Sequence, residues 1–113
     1  MTPPRALGVS GEDAAAAWYE ANGYEVLARN WRCRTGELDL VVRQGRVLVF
    51  CEVKARTTNL LGAPVEAVTR AKQDRIRRLA ARWIEEHDAR PITIRFDVAS
   101  VLGGVLEVLE GAF

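Results

Sequence analysis

Asp39, Glu52 and Lys54 are the residues whose types and spacing could do chemistry. Asp39 ends the run Gly36-Glu37-Leu38-Asp39, while Glu52 and Lys54 close an otherwise apolar stretch that begins at Val47. Ionised groups in partly buried positions are costly unless they are paired or hold a metal. Two carboxylates on one face of a sheet repel and need positive charge between them. Lys54 supplies part of that charge. A hard divalent cation, magnesium or manganese, would supply more, and carboxylate oxygens suit it. The competing reading is a salt-bridged sheet end in which Lys54 neutralises one of the acids. Glu37, beside a turn, reads as a solvated acid.

Whether the two acids meet depends on a hairpin. Hydrophobic alternation predicts strands over 37–43 and 46–54, joined at Gln44-Gly45. Glu37, Asp39 and Val41 then face one way, and Leu38, Leu40 and Val42 the other. On the second strand Leu48, Phe50, Glu52 and Lys54 share a face. With Arg43 opposite Arg46, Val41 meets Leu48, Asp39 meets Phe50 and Glu37 meets Glu52. Asp39 and Glu52 become diagonal neighbours, roughly 7–8 Å apart by backbone. A slip of one residue would send them to opposite faces.

The remaining elements follow from periodicity and punctuation. Ser10-Gly11-Glu12-Asp13 resembles a capping box, with a helix from Ala14 to about Asn22 and a stop at Gly23. In that setting Glu12 reads as an acid meeting the helix dipole. Tyr24 to Cys33 reads as a strand and Thr35-Gly36 as a turn. Residues 55–64 read as a loop. From Val65 onward Val68, Ile76, Leu79, Ala80, Trp83 and Ile84 recur at helical spacing, with a break near Thr69 and an end near His87. Ile92 to Val101 and Val105 to Leu109 form two more strands about Gly103-Gly104. The order is αβββαββ, an α/β domain with a mixed sheet flanked by helices. Trp18, Trp31 and Trp83 could stack on bases, but they read as core or packing residues, Trp83 on the apolar stripe and so in the core.

Composition sets the frame. The 113 residues are 49% hydrophobic and 27% charged, enough for one domain with a real core and no need of disulfides. Cys33 and Cys51 stand far apart with the single His87 distant, which argues against structural zinc and suggests buried small hydrophobes. No apolar run is long enough to span a bilayer, and no secretory signal is apparent, so the cytoplasm is the expected compartment. The net charge of +1 is unevenly spread: residues 54–82 carry eight basic and two acidic side chains. Such a segment suggests an anionic partner, or simply a solvated helix face.

Beyond these separate signals, Asp39 with Glu52-Val53-Lys54 resembles the PD-(D/E)xK nuclease signature, with Leu38 where proline is common. Gly11-Glu12, Gly36 to Val41, Phe50 to Arg56, Gly62, Pro64 to Val68, Lys72-Gln73 and Arg95-Phe96-Asp97-Val98 together resemble the YraN-type family of small bacterial proteins. That family is similar to archaeal Holliday junction resolvases, within the restriction-endonuclease-like fold.

The resemblance implies Glu12, Asp39 and Glu52 as metal ligands and Lys54 as the lysine that orients or activates the attacking water. Magnesium or manganese would be the cofactor. Gln73 and Lys72 would be auxiliary polar residues on the second helix, and Cys51 should point away from the site. The expected reaction is phosphodiester hydrolysis in DNA, dependent on structure rather than sequence. Arg56, Arg70, Lys72, Gln73, Arg77 and Arg78 would hold the nucleic acid by its backbone. A homodimer is implied by the resolvases. Two rivals stand beside this reading: a nucleic-acid-binding module without catalysis, and an accessory protein whose arginine-rich helix binds an acidic protein.

Overall fold

A computed structural model describes residues 6–56 and 68–113, with side-chain detail beginning at Gly11 and omitted for Arg56. The elements are α1 (Ala6–Ala21), β1 (Glu25–Cys33), β2 (Gly36–Gln44), β3 (Val47–Arg56), α2 (Arg70–Glu86), β4 (Thr93–Leu102) and β5 (Val105–Leu109). This is the mixed α/β order expected. The expected loop over 55–64 lies largely outside the described residues, as do Gly62, Pro64 and Val65 to Ala67.

The five strands form one sheet in sequence order. β3 and β4 are parallel, and every other neighbouring pair is antiparallel. The single parallel pair requires a crossover between β3 and β4, and that connection contains α2. β3 is therefore central and apolar on both sides. Leu48 and Phe50 pack with Val41, Val98 and the α2 stripe Ile76, Leu79, Ala80 and Trp83. Val49 and Cys51 pack with Leu40, Val42, Ala99 and the α1 residues Ala15, Ala16 and Tyr19. The sheet is thus covered by one helix on each face. Cys51 points into the α1 layer, whereas Cys33 is only half-buried.

α2 starts where the break was expected. The Thr69 hydroxyl oxygen accepts from the Lys72 N–H at 3.2 Å and caps the helix. Buried Val68 precedes the cap instead of continuing the helix. α1 departs from expectation: it begins at Ala6, so Ser10 to Asp13 lie inside it and form no capping box. Gly8 weakens but does not stop the helix, and Gly11 serves packing instead of a terminus. A Cβ at Gly11 would lie 3.3 Å from Ala55 Cβ and 3.6 Å from Val53 Cγ1. The bare backbone there lets α1 rest directly on β3.

The Arg95-Phe96-Asp97-Val98 segment has a structural task. Asp97 is fully buried. It accepts from the Tyr19 hydroxyl, from Arg95 Nε at 2.9 Å and Nη2 at 3.0 Å, and from the Gly111 N–H at 2.9 Å. One carboxylate thereby joins α1, β4 and the segment after β5. Among the described residues, no helix is long and apolar enough to cross a membrane.

Candidate functional site

The β2–β3 hairpin turns at Gly45-Arg46, one residue later than expected. Gly45 has φ 59° and Arg46 is not left-handed, which suits a turn with glycine in its first central position. Gln44 pairs with Val47, Arg43 with Leu48, Val41 with Phe50 and Leu40 with Cys51. The register is displaced by two residues from the expected one. An even displacement preserves which faces the side chains take. The ladder ends at Leu40 with Cys51, so Asp39 and Glu52 are the next residues beyond it, close enough for the charge of Glu52 to act on Asp39.

The expected alternation along β2 fails at Asp39. Leu40 and Val42 pack under α1, but Leu38 packs under α2 with Val41. Across the strand pair, Arg29 sits opposite Leu40 and Trp31 opposite Leu38, which leaves Asn30 beside Asp39. Asn30 has φ 52°, a left-handed conformation that asparagine tolerates better than most residues. The irregularity in β1 and the turnover of β2 coincide, so Asp39 stands between the two layers. Its carboxylate accepts the Val53 N–H at 2.9 Å, just past the end of the ladder.

The electrostatics follow from this placement. Burial, then the charge of Glu52, pushes the Asp39 carboxyl up to about 7, opposed by the Val53 N–H. Lys54 Nζ lies 3.4 Å from Glu52 Oε1, and both side chains are largely buried. Burial works against the Lys54 ammonium, yet contact with Lys72 and the charges of Glu52 and Asp39 hold it above the ordinary lysine range. Lys72 is lowered by its contact with Lys54 and by burial. Asp39, Glu52, Lys54 and Lys72 therefore form one interacting group.

Glu12 does not complete a three-acid cluster. It lies in the second turn of α1 rather than the first, so the helix-dipole reading does not apply to it. Its Oε2 accepts from Asn30 Nδ2 at 2.7 Å and lies 3.8 Å from Arg29, which is held more closely by Asp13. Asn30 in turn neighbours Asp39 across the ladder. Glu12 is thus fixed one strand away from the acid pair. Among the described residues, no three of His, Cys, Asp and Glu converge as a metal cluster.

The donor set still fits a hard divalent ion at Asp39 and Glu52. Both are oxygen donors, they are neighbours under mutual repulsion, and magnesium accepts one or two protein carboxylates with water filling the other positions. Glu12 would join only by exchanging its contacts with Asn30 and Arg29.

The basic helix is less uniform than its composition suggested. Arg70 and Arg77 share Asp74 at 3.7 and 3.5 Å, and Arg77 also lies over the rings of Phe96 and Phe113. Gln73 Nε2 donates to the Val68 carbonyl at 3.1 Å, so it braces the helix start rather than the acids. Lys72, Arg75 and Arg78 have no carboxylate within ion-pair distance among the described residues. Arg75 was not singled out from the sequence. Its stem packs beside Gly36, at the start of the strand that carries Asp39. The three-residue spacing of Lys72, Arg75 and Arg78 was the available signal. Arg56 ends β3, three residues after Val53.

Comparison with known proteins places this arrangement in context. The profile of the "Uncharacterised protein family UPF0102" matches residues 11–101, which include all four site residues. The chain is 58% identical to a UPF0102 protein of Beutenbergia cavernae, over 90% of this chain and 86% of that one. It is 53% identical to one from Frankia alni, over 100% of this chain and 98% of the relative. A UPF0102 protein of Nocardia farcinica is 52% identical over 87% of this chain and 77% of its own.

Proposed function

The chain belongs to the uncharacterised family UPF0102, and from its acid pair we propose a metal-dependent nuclease of the restriction-endonuclease-like class that hydrolyses phosphodiester bonds in DNA. The observation that carries this reading is the pair of neighbouring carboxylates just past the end of the β2–β3 ladder, Asp39 pushed up by the charge of Glu52, with Lys54 at 3.4 Å from Glu52. Unlike a simple ion pair, this group leaves a second, half-buried carboxylate with no ion-pair cation of its own among the described residues.

In this mechanism Asp39 and Glu52 would hold magnesium or manganese, which would lower the pKa of a bound water and stabilise charge at phosphorus. Asp39 is kept in place by the Val53 N–H, which fixes the carboxylate against β3. Lys54 positions the water and stabilises developing negative charge. Lys72, in contact with Lys54, reinforces that role. Lys72, Arg75 and Arg78 track the phosphate backbone without reading bases, which favours recognition of DNA structure over sequence. A cytoplasmic setting and a homodimer belong to the same proposal.

The test is cleavage of four-way junctions, flaps and single strands in manganese, comparing wild type with Asp39→Ala and Lys54→Ala. Cleavage that survives both substitutions rules the chemistry out. A second reading is favoured by one observation: Glu12 is already satisfied by Asn30 and Arg29. In that reading the chain binds nucleic acid without cutting it. Salt-dependent DNA binding with no carboxylate-dependent metal binding would select it.

A further inference from the structure

A basic surface leads away from the acid pair, and two elements build it. At about 100° per residue, Lys72, Arg75, Arg78 and Arg82 fall on one flank of α2, whereas Arg77 lies on the other, over Phe96 and Phe113. Lys72 is in contact with Lys54, so the flank starts at the site. Arg75 packs its stem beside Gly36. The Cys33 thiol is lowered first by its hydrogen bond with Thr35 and also by the charge of Arg82. The flank therefore runs alongside the β1–β2 turn, whose central residues are Arg34 and Thr35.

Arg34 is exposed in that turn and has no carboxylate within ion-pair distance among the described residues. Glu37, close by in the hairpin, is taken by Arg32. Asp74 serves Arg70 and Arg77, and Glu86 serves Arg82. Lys72, Arg75, Arg78 and Arg34 thus form one surface of four cations without a compensating carboxylate among the described residues. Gathering like charges costs stability, and an anionic partner relieves that cost. The surface has the length of several phosphates. Lys72 to Arg78 spans about 9 Å of helix, and Gly36 to Asp39 roughly 10 Å of strand. Each equals about three base steps of a duplex strand, at roughly 3.4 Å a step.

We propose that this flank holds a duplex arm of the substrate by the phosphates of one strand, with Arg34 as a contact beyond α2. The inference rests on the DNA reading above and extends it from the acid pair to the neighbouring arm. A single strand would call for flat side chains on which its unpaired bases stack. Among the described residues no tryptophan, tyrosine or phenylalanine is exposed. The exposed apolar side chains Ile94 and Val105 lie on β4 and β5, across the sheet from the β1–β2 turn. In a duplex the bases are already stacked, and the backbone alone has to be met. Guanidiniums on a turn and a helix meet phosphate oxygens without reading bases.

The test is fluorescence anisotropy of the full chain in EDTA across a range of salt, with a short labelled duplex and the single strand of the same sequence. Wild type should bind the duplex more tightly than the single strand. Arg34→Ala should weaken duplex binding severalfold and reduce the slope of log affinity against log salt by about 0.9. Arg34→Lys keeps the charge and should restore most of that slope. Arg90→Ala removes an exposed arginine beyond the other end of α2 and should leave the slope in place. The proposal is overturned by a single strand bound as tightly as the duplex, by an unchanged slope in Arg34→Ala, or by an equal drop in Arg90→Ala. Absence of duplex binding also overturns it and points to an acidic protein instead. EDTA separates this result from the chemistry. Duplex binding through Arg34 without cleavage in manganese removes the nuclease and keeps the contact, whereas cleavage with a slope indifferent to Arg34 does the reverse.

Discussion

Asp39→Asn should stabilise the metal-free protein at alkaline pH while removing its response to metal. In the folded protein the Asp39 carboxyl is pushed from 3.8 up to about 7, first by burial and then by Glu52. For an acid raised on folding, the folded state holds a proton that the unfolded chain has released. Stability therefore falls as pH rises from about 4 to about 7 and stays low above that. A shift of this size corresponds to a ceiling of about 4 kcal/mol. Water at the half-buried site screens the charges, so about 2 kcal/mol is the expected cost of ionising Asp39. Asparagine carries no charge and its amide oxygen can still accept the Val53 N–H. Urea unfolding in EDTA should show the variant about 2 kcal/mol more stable than wild type near pH 8, and within about 0.5 kcal/mol near pH 4. Millimolar manganese should then raise the stability of wild type, by mass action, but not that of the variant. An asparagine variant destabilised equally at both pH values, or a wild type indifferent to manganese, would refute the reasoning.

Three further outcomes are expected. Asp97→Ala should cost about 3–5 kcal/mol in urea unfolding, since it strands the half-buried Arg95 and the buried Tyr19 hydroxyl that converge on that carboxylate. Gly11→Leu should cost about 1–3 kcal/mol and weaken cleavage, because a side chain there must push α1 off Ala55 and Val53. Arg75→Ala should lower DNA affinity for all sequences alike and reduce the slope of log affinity against log salt by about one, whereas Arg77→Ala should change that slope little because Arg77 already serves Asp74 and Phe96.

Much of the frame was legible because it rests on local pattern. The helical period from Ile76 to Ile84, the apolar run of β3 and the glycine turns each announce one element, and the element order followed. From Leu40 to Gln44 the expected faces hold, since the true register differs by two residues, but the alternation breaks at Asp39. The exact pairing was not legible: it depended on whether Gly45 takes the first or second central position of a two-residue turn. The turnover at Asp39 was also hidden, because it coincides with a left-handed backbone at Asn30 on another strand. The helix start, and with it the position of Glu12 in the first turn, was misjudged for a related reason. The motif at Ser10 looked like a helix start, but Gly11 is fixed by contact with β3, a tertiary demand that overrides local preference. The partners of Gln73 and Arg77 likewise depend on Val68, Phe96 and Phe113, which no spacing rule connects to α2.

The close seat of α1 on β3 has a kinetic consequence. Even a methyl group at Gly11 would crowd Ala55 and Val53, so the helix is closely seated on β3. Recruiting Glu12 to an ion at the acid pair would therefore be a side-chain rotation away from Asn30, an event of nanoseconds or less rather than a collective rearrangement. Ion capture should then show a single rapid phase whose rate follows how readily the ion sheds its water, manganese ahead of magnesium. A slow phase common to both ions would mean that the scaffold itself has to move.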